Sequence, residues 1–76
     1  MIREHDCIVL TQALQEEGLQ PGDVGTVVHV HGDGAAYEVE FLALTGENVT
    51  VATILGGQLR PVSQRDLSHA RELAAR

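Results

Sequence analysis

The sequence predicts a mainly β fold, a small five-stranded barrel followed by a C-terminal α-helix. Short apolar runs are separated by Gly, Asp and Asn, a spacing typical of strands joined by hairpins. Residues 37–42 alternate apolar and charged side chains, which is the pattern of a half-buried strand. A chain of 76 residues can bury one compact core and no large interior cavity. A barrel suits such short strands because curling removes the exposed edges of a sheet.

Five strands are predicted in chain order, at residues 7–10, 25–31, 37–42, 49–55 and 58–62. A long polar loop at 12–22 separates the first two, and the Gly-Asp-Gly sequence at 32–34 marks a tight turn. Pro61 confines the last strand to an edge or a strand end, because proline cannot donate to a ladder. Successive hairpins after one long loop predict the order of an SH3-like barrel over residues 1–62.

Residues 63–76 form a second unit, for which a C-terminal helix is predicted. Ser63 and Asp66 have the spacing of a helix N-cap, and Leu67, Ala70 and Ala74 recur at helical intervals. The apolar stripe is narrow, and an isolated helix of about 14 residues is marginal in water. This helix must therefore dock on another surface or fray.

The charge is divided unevenly between the two units. Residues 1–62 carry a net charge of −7 and residues 63–76 carry +1, and the chain contains no lysine. A surface that follows phosphates needs clustered cations, so the charge of the main unit disfavours nucleic-acid binding. No apolar run approaches the length that spans a bilayer, so no membrane partner is expected. With one cysteine and no signal-peptide pattern, the sequence predicts a soluble, cytoplasmic, bacterial-type domain.

The pattern also predicts the register of the central hairpin. Pairing His29 with Glu38, Val28 with Val39 and Val30 with Tyr37 places the apolar side chains on one face. The opposite face then carries four side chains with metal-ligating chemistry: His29, His31, Glu38 and Glu40. Two readings remain open, a divalent-metal site and ordinary cross-strand His–Glu pairs on a solvated surface. The second is favoured because an exposed strand offers nothing to orient the ligands, so no cofactor or metal is predicted.

The second hairpin carries apolar residues at both strand parities, more than one inward face can hold. Either the C-terminal helix or a second copy of the chain must cover the surplus. The predicted contact surface for a homo-oligomer consists of Leu42, Leu44, Val49, Val51, Leu55, Leu67, Ala70 and Ala74.

The sequence gives little support for catalysis. Ser63 is explained as a helix cap, and Cys7 has no clustered base to lower its pKa, so it is interpreted as an inert packing residue. Glu38 and Glu40 lie on a convex surface rather than in a cleft. We therefore expect a protein that is not an enzyme.

Several spaced segments carry a family resemblance. The stretch at 22–28 (Gly-Asp-Val-Gly-Thr-Val-Val), the strand at 37–41 and the sequence Gln-Leu-Arg-Pro-Val at 58–62 resemble a bacterial domain-of-unknown-function family of short SH3-like proteins. That family implies the barrel fold over residues 1–62 and no known activity. The stretch at 21–28 also resembles, more remotely, the opening of KOW-type barrels, and the chain is similar to the barrel of nitrile hydratase β subunits.

The leading hypothesis is a non-catalytic interaction module that self-associates and binds a protein partner. One alternative is an RNA- or ribosome-associated module like KOW domains, in which only Arg65, Arg71 and Arg76 could meet phosphate. Another is an accessory subunit of a metalloenzyme such as a nitrile hydratase, which would involve His29 and His31.

Overall fold

The computed structural model describes residues 2–73, except for the side chains of Asn48 and Val49, and contains one antiparallel sheet. Its strands are β1 (Cys7–Leu10), β2 (Val24–His31), β3 (Ala36–Leu42), β4 (Asn48–Leu55) and β5 (Leu59–Pro61). The order across the sheet is β4-β3-β2-β1-β5. Short 3₁₀ turns lie at Gln15–Glu17 and Gly56–Gln58. The predicted mainly β class is confirmed.

The sheet is open, so the prediction of a closed barrel is wrong. Within residues 2–73 the edge strands β4 and β5 do not pair with each other. β5 is only three residues long and ends at Pro61, which has no N–H to offer to a ladder. In place of a β4–β5 strand pair, the loop between β1 and β2 contacts both the core and β4. Its Leu19 is buried in the core, and Glu17 accepts a 3.2 Å hydrogen bond from the Thr50 hydroxyl of β4.

Every strand sends alternate side chains into a single hydrophobic core. The buried members of that core are Ile8, Leu10, Leu19, Val27, Tyr37, Val39, Phe41, Ala52, Ile54 and Leu59. The alternation is clearest in β3, where residues 37, 39 and 41 are buried and the residues between them are half-buried. One face of the sheet therefore carries the hydrophobic stabilisation of the domain.

The predicted register of the central hairpin is confirmed at its tip and wrong at its base. His29 lies opposite Glu38 and Val30 opposite Tyr37, as predicted, but Val27 and not Val28 lies opposite Val39. A β-bulge between residues 27 and 29 inserts one extra residue and switches the strand's parity. As a result Val27 is fully buried while Val28 is 42% exposed on the outer face.

Gly25 explains why β2 takes this parity. It faces the core beside Val27, and a Cβ at this position would lie 2.5 Å from Val39 Cγ1, 2.9 Å from Phe41 and 3.0 Å from the Glu40 carbonyl oxygen. Only glycine lets the two backbones approach this closely. This approach fixes where β2 begins, and therefore where the preceding turn lies.

The predicted C-terminal helix is wrong, and residues 66–73 have no regular secondary structure. The Asp66 carboxylate accepts the Ser63 backbone N–H at 2.7 Å, but it also accepts two bonds from the Arg60 guanidinium, at 2.8 and 2.9 Å. One turn therefore forms at 63–66 and is tied to β5. The narrow apolar stripe gives a helix little to bury, and polar side chains further along find partners on the domain instead. No helix among residues 2–73 is long and apolar enough to cross a membrane.

Phe41→Ala should lower the free energy of unfolding by about 3–5 kcal/mol, because it empties a large fraction of this small core. Chemical denaturation measures the change. The matched control is Leu44→Ala, because Leu44 is 86% exposed, and its effect should stay within about 0.5 kcal/mol. Equal stability losses in the two variants would contradict the assigned core face.

Candidate functional site

Asp23 forms the centre of the candidate site, at the turn that leads into β2. Its carboxylate Oδ2 accepts the backbone N–H of Gln20 at 2.9 Å, and its own N–H donates to the Gln20 carbonyl at 3.1 Å. Gly22 takes a positive φ of 95° within this turn, a conformation that favours glycine. The Pro-Gly-Asp sequence therefore builds a tight turn with a fixed acidic side chain, and Asp23 is only 9% exposed.

The C-terminal segment that follows the turn at 63–66, which we call the tail, supplies two residues that bind this carboxylate. Both lie more than forty residues beyond Asp23 along the chain. Arg71 binds it bidentately, with Nε donating to Oδ1 at 2.9 Å and Nη2 donating to Oδ2 at 2.7 Å. Arg71 Nη2 also donates to the Gly18 carbonyl oxygen at 2.8 Å. His69 Nε2 lies 3.1 Å from Oδ1. The tail thus runs back over the domain and places a cation on its most buried carboxylate.

The electrostatics of Asp23 reflect a balance of opposing effects. Burial by itself would raise the pKa of this carboxyl, because low-dielectric surroundings disfavour the charged form. The hydrogen bonds from Arg71, from the Gln20 backbone and from His69, together with the charge of Arg71, outweigh burial and hold the pKa below its ordinary value. Asp23 is therefore a stable anion at neutral pH, and it requires a partner.

An apolar groove surrounds the ion pair, and we call it the Asp23 groove. Its cavity measures about 300 Å³. On the domain side the groove is lined by Leu19, Asp23, Val24, Phe41, Leu42, Ala43 and Leu44. On the tail side it is lined by His69, Ala70, Arg71 and Leu73. Apolar walls around one oriented charge are typical of a binding site for a ligand with a charged head and an apolar stem.

Sequence reasoning missed this site. The Gly-Asp-Val-Gly stretch carries only a family resemblance in the sequence, and the predicted helix over residues 63–76 includes both His69 and Arg71. A signal was present in the charge distribution, because a −7 domain is followed by a short segment of net charge +1. Nothing in the sequence, however, indicates which of the nine acidic residues in the domain becomes buried.

The predicted histidine face is assembled only in part. His31 Nε2 lies 2.7 Å from Glu38, which also accepts the Thr53 hydroxyl at 2.8 Å. The hydrogen bond with His31 is the main reason that the pKa of Glu38 is lowered, and the bond from Thr53 adds to it. The His29 ring packs edge-on against His31 with centroids 4.7 Å apart, and His29 Nδ1 lies 3.8 Å from Glu4.

Glu40 lies between Thr26 and Val51 in the register of the sheet. Across residues 2–73, no three His, Cys, Asp or Glu side chains are arranged to hold a metal ion. What the histidine face shows directly is a cross-strand His–Glu pair. The metal site stays an untested alternative.

Most of the predicted contact residues are exposed on the outer side of the second hairpin or in the tail. Val51 is 50% exposed and Leu55 58%, while Leu42 and Leu44 continue the apolar surface towards the Asp23 groove. Leu67 and Ala70 are exposed in the tail rather than aligned on a helix. The Val49 side chain and Ala74 lie outside the described part of the chain.

Two residues considered for catalysis are also placed. The Ser63 hydroxyl belongs to the turn with Asp66, which lies 3.2 Å away. Cys7 is exposed, so its interpretation as a packing residue is wrong, because it occupies the outward position at the start of β1.

Comparison with known proteins identifies one related family. A family model described as "Domain of unknown function (DUF4926)" matches residues 4–61. No curated protein and no solved structure is significantly similar to the chain. The remote resemblances to KOW-type and nitrile hydratase barrels therefore have no support. The match contains Asp23 and most of the groove lining, and it ends before His69 and Arg71.

Asp23→Asn should release the tail, because an amide keeps the turn but cannot hold the guanidinium as a charged pair. Trypsin cleavage after Arg71 should accelerate roughly tenfold or more, since it follows the undocked fraction and the lost bonds are charged. Arg65 is an internal control, because it is also followed by an acidic residue. Its cleavage rate should change little. Equal rates after Arg71 in the two proteins would contradict the docked tail.

Tail docking should also be lost in acid. Since the folded-state pKa of Asp23 is lowered, its contribution is complete above the ordinary carboxyl pKa of about 3.9 and disappears as the pH falls through the lower folded-state value. The Arg71 Nε–H resonance in NMR spectra reports the transition. The Asp23→Asn variant should lack this transition, and an unaltered chain whose resonance followed that of Asp23→Asn throughout the acid titration would contradict the assignment.

Proposed function

The chain belongs to the DUF4926 family, and on that premise we propose that it is a non-catalytic interaction module that self-associates and binds a protein partner. The observation that carries the proposal is a set of exposed large apolar side chains on the outer side of β3 and β4, where they alternate with Glu38, Glu40 and Thr53. Leu42, Val51 and Leu55 remain about half exposed there, although residues 37, 39, 41, 52 and 54 on the other face of the same hairpin are buried. Several exposed large apolar side chains on one hairpin of so small a domain, which we call the exposed strip, are typical of a protein-binding surface.

The course of the tail supports a second copy as the cover for this strip. A docked helix would have removed the strip from solvent within one chain. The tail instead runs to Asp23 and leaves Val51 and Leu55 open. A specific interface buries roughly 800 Å² per partner, which is about a seventh of the 5450 Å² surface of this domain. Closed two-fold symmetry would bury one such patch without producing a filament.

The disposition of the polar groups favours binding over catalysis. Asp23 is engaged by four hydrogen bonds, and Glu38 on the open outer face is engaged by His31 and Thr53. Neither carboxylate lies beside a nucleophile in a cleft, which acid–base chemistry would require. Arg60 and Arg71 are paired with Asp66 and Asp23, which weakens the case for RNA as the partner.

Sedimentation of the untagged protein at tens of micromolar tests self-association. We expect a species larger than 8.2 kDa. Added salt should strengthen it, because screening reduces repulsion between chains of net charge −6. A monomer at both low and high salt would refute self-association.

The double variant Val51→Lys and Leu55→Lys should be monomeric. Lysine is tolerated on an edge strand, and the two substitutions reduce the net negative charge, so lost association would reflect lost apolar contact. The matched control is Val28→Lys with Val62→Lys. It makes the same charge change at two residues that are each 42% exposed and lie outside β3 and β4. An unchanged oligomer in the first variant would place the interface elsewhere.

A further inference from the structure

We propose that the Asp23 carboxylate and the Gly18 carbonyl, on the domain side of the Asp23 groove, are a binding site for an arginine side chain on an extended segment of another protein, and that Arg71 of the tail is the intramolecular occupant of this site. The inference rests on the proposed interaction function and names the chemistry of the partner. The tail shows how such a segment lies. It has no regular secondary structure over residues 66–73, places Arg71 on the carboxylate and sets apolar side chains on either side.

The acceptor atoms match a guanidinium group rather than a point charge. Asp23 offers two oxygens in the plane that Nε and Nη2 require, and the Gly18 carbonyl accepts a third bond. An ammonium group cannot make the parallel pair of bonds. The site therefore selects arginine over lysine.

The acceptor is organised by residues that do not belong to the tail. The Gln20 backbone N–H holds Asp23 Oδ2, and Gly18 is fixed by its own N–H bond to the Gln15 carbonyl at 3.1 Å. Without a cation, the domain would keep a carboxylate that is held in a turn beside apolar residues and lacks a counter-charge, which is costly. The site is thus built in advance and favours whichever guanidinium reaches it.

The tail is attached in a way that permits exchange. Between residues 67–73 and the rest of the described chain there are side-chain bonds to Asp23 and Gly18 but no backbone–backbone hydrogen bonds. Leu67 is almost fully exposed, and Leu73 is about half exposed. A flexible tether gives an occupant an effective concentration of only about millimolar, so a partner that binds more tightly than this displaces it.

The charge of the domain and the extent of the family match both support an arginine that is supplied from outside the domain. The domain of net charge −7 attracts cationic segments. The family match includes Asp23, Gly18 and Gln20, whereas Arg71 lies beyond its end at residue 61. The receptor therefore belongs to the family domain, and the ligand is supplied by a segment outside it.

Fluorescence anisotropy on the full-length Arg71→Ala protein tests the proposal, because this variant leaves the groove unoccupied. The probe is a labelled peptide of residues 67–76, and the comparison peptides carry Arg71→Lys or Arg71→Ala. The arginine peptide should bind roughly tenfold or more tightly than either, the ratio expected when charged hydrogen bonds are lost. It should also bind the Arg71→Ala protein more tightly than the unaltered chain, where the tail competes. Equal affinity for the arginine and lysine peptides would overturn the proposal.

Two further measurements keep the test decisive. Adding Asp23→Asn to the Arg71→Ala protein should abolish the preference for arginine, and a preserved preference would overturn the site. If Arg71→Ala does not fold, the unaltered chain is titrated with unlabelled peptide. The NMR signals of its His69 ring should then move as the ring leaves Asp23, and unmoved signals at saturating peptide would count against displacement.

Sedimentation of Arg71→Ala separates this inference from the proposed self-association. An oligomer built on the β3–β4 face should persist in the variant whether or not the peptide binds. If the wild-type oligomer disappears with Arg71→Ala, the occupant is the tail of a second copy. That outcome would overturn the assignment to a different protein.

Discussion

The close approach of β2 to β3 at Gly25 is the contact on which the rest of the structure depends. Phe41 and Val39 occupy the space where a side chain at position 25 would lie, so β2 must begin with its glycine facing the core. That choice places Val27 inward and the turn residue Asp23 beside the end of β3. The β-bulge after Val27 then switches the parity of β2, so that His29 and His31 point outward. The core face, the histidine face and the Asp23 groove are all positioned by this contact.

Burial of a single carboxylate organises the C-terminal part of the chain. With the tail docked, Asp23 is only 9% exposed, and a carboxylate in that state must be compensated by hydrogen bonds and a counter-charge. Arg71 provides both in one planar group, and His69 adds another contact. The tail is therefore shaped by an ion pair with the domain rather than by its own helical propensity, and its apolar residues are left largely exposed.

The open sheet and the exposed strip follow from the size of the domain. Five short strands provide one buried face, and the apolar residues at the other parity of β3 and β4 have nowhere to pack within the described chain. The structure thus combines an apolar outer surface and an oriented anionic groove on different parts of one small sheet. The outer surface offers apolar contacts and the groove offers an ion pair, and an interaction module can use both.

The sequence alone determined the mainly β class, the five strands and their turns, because alternation and Gly/Asp punctuation are local signals of backbone geometry. It also determined the pairing of His29 with Glu38 and the alternation of residues 37–42, which places Phe41 in the core. Sheet closure, the bulge at Val28, the extended tail and the Asp23–Arg71 pair were decided only by the tertiary structure. Each of these depends on which residues from distant parts of the chain compete for the same space or the same charge, and a local pattern carries no record of that competition.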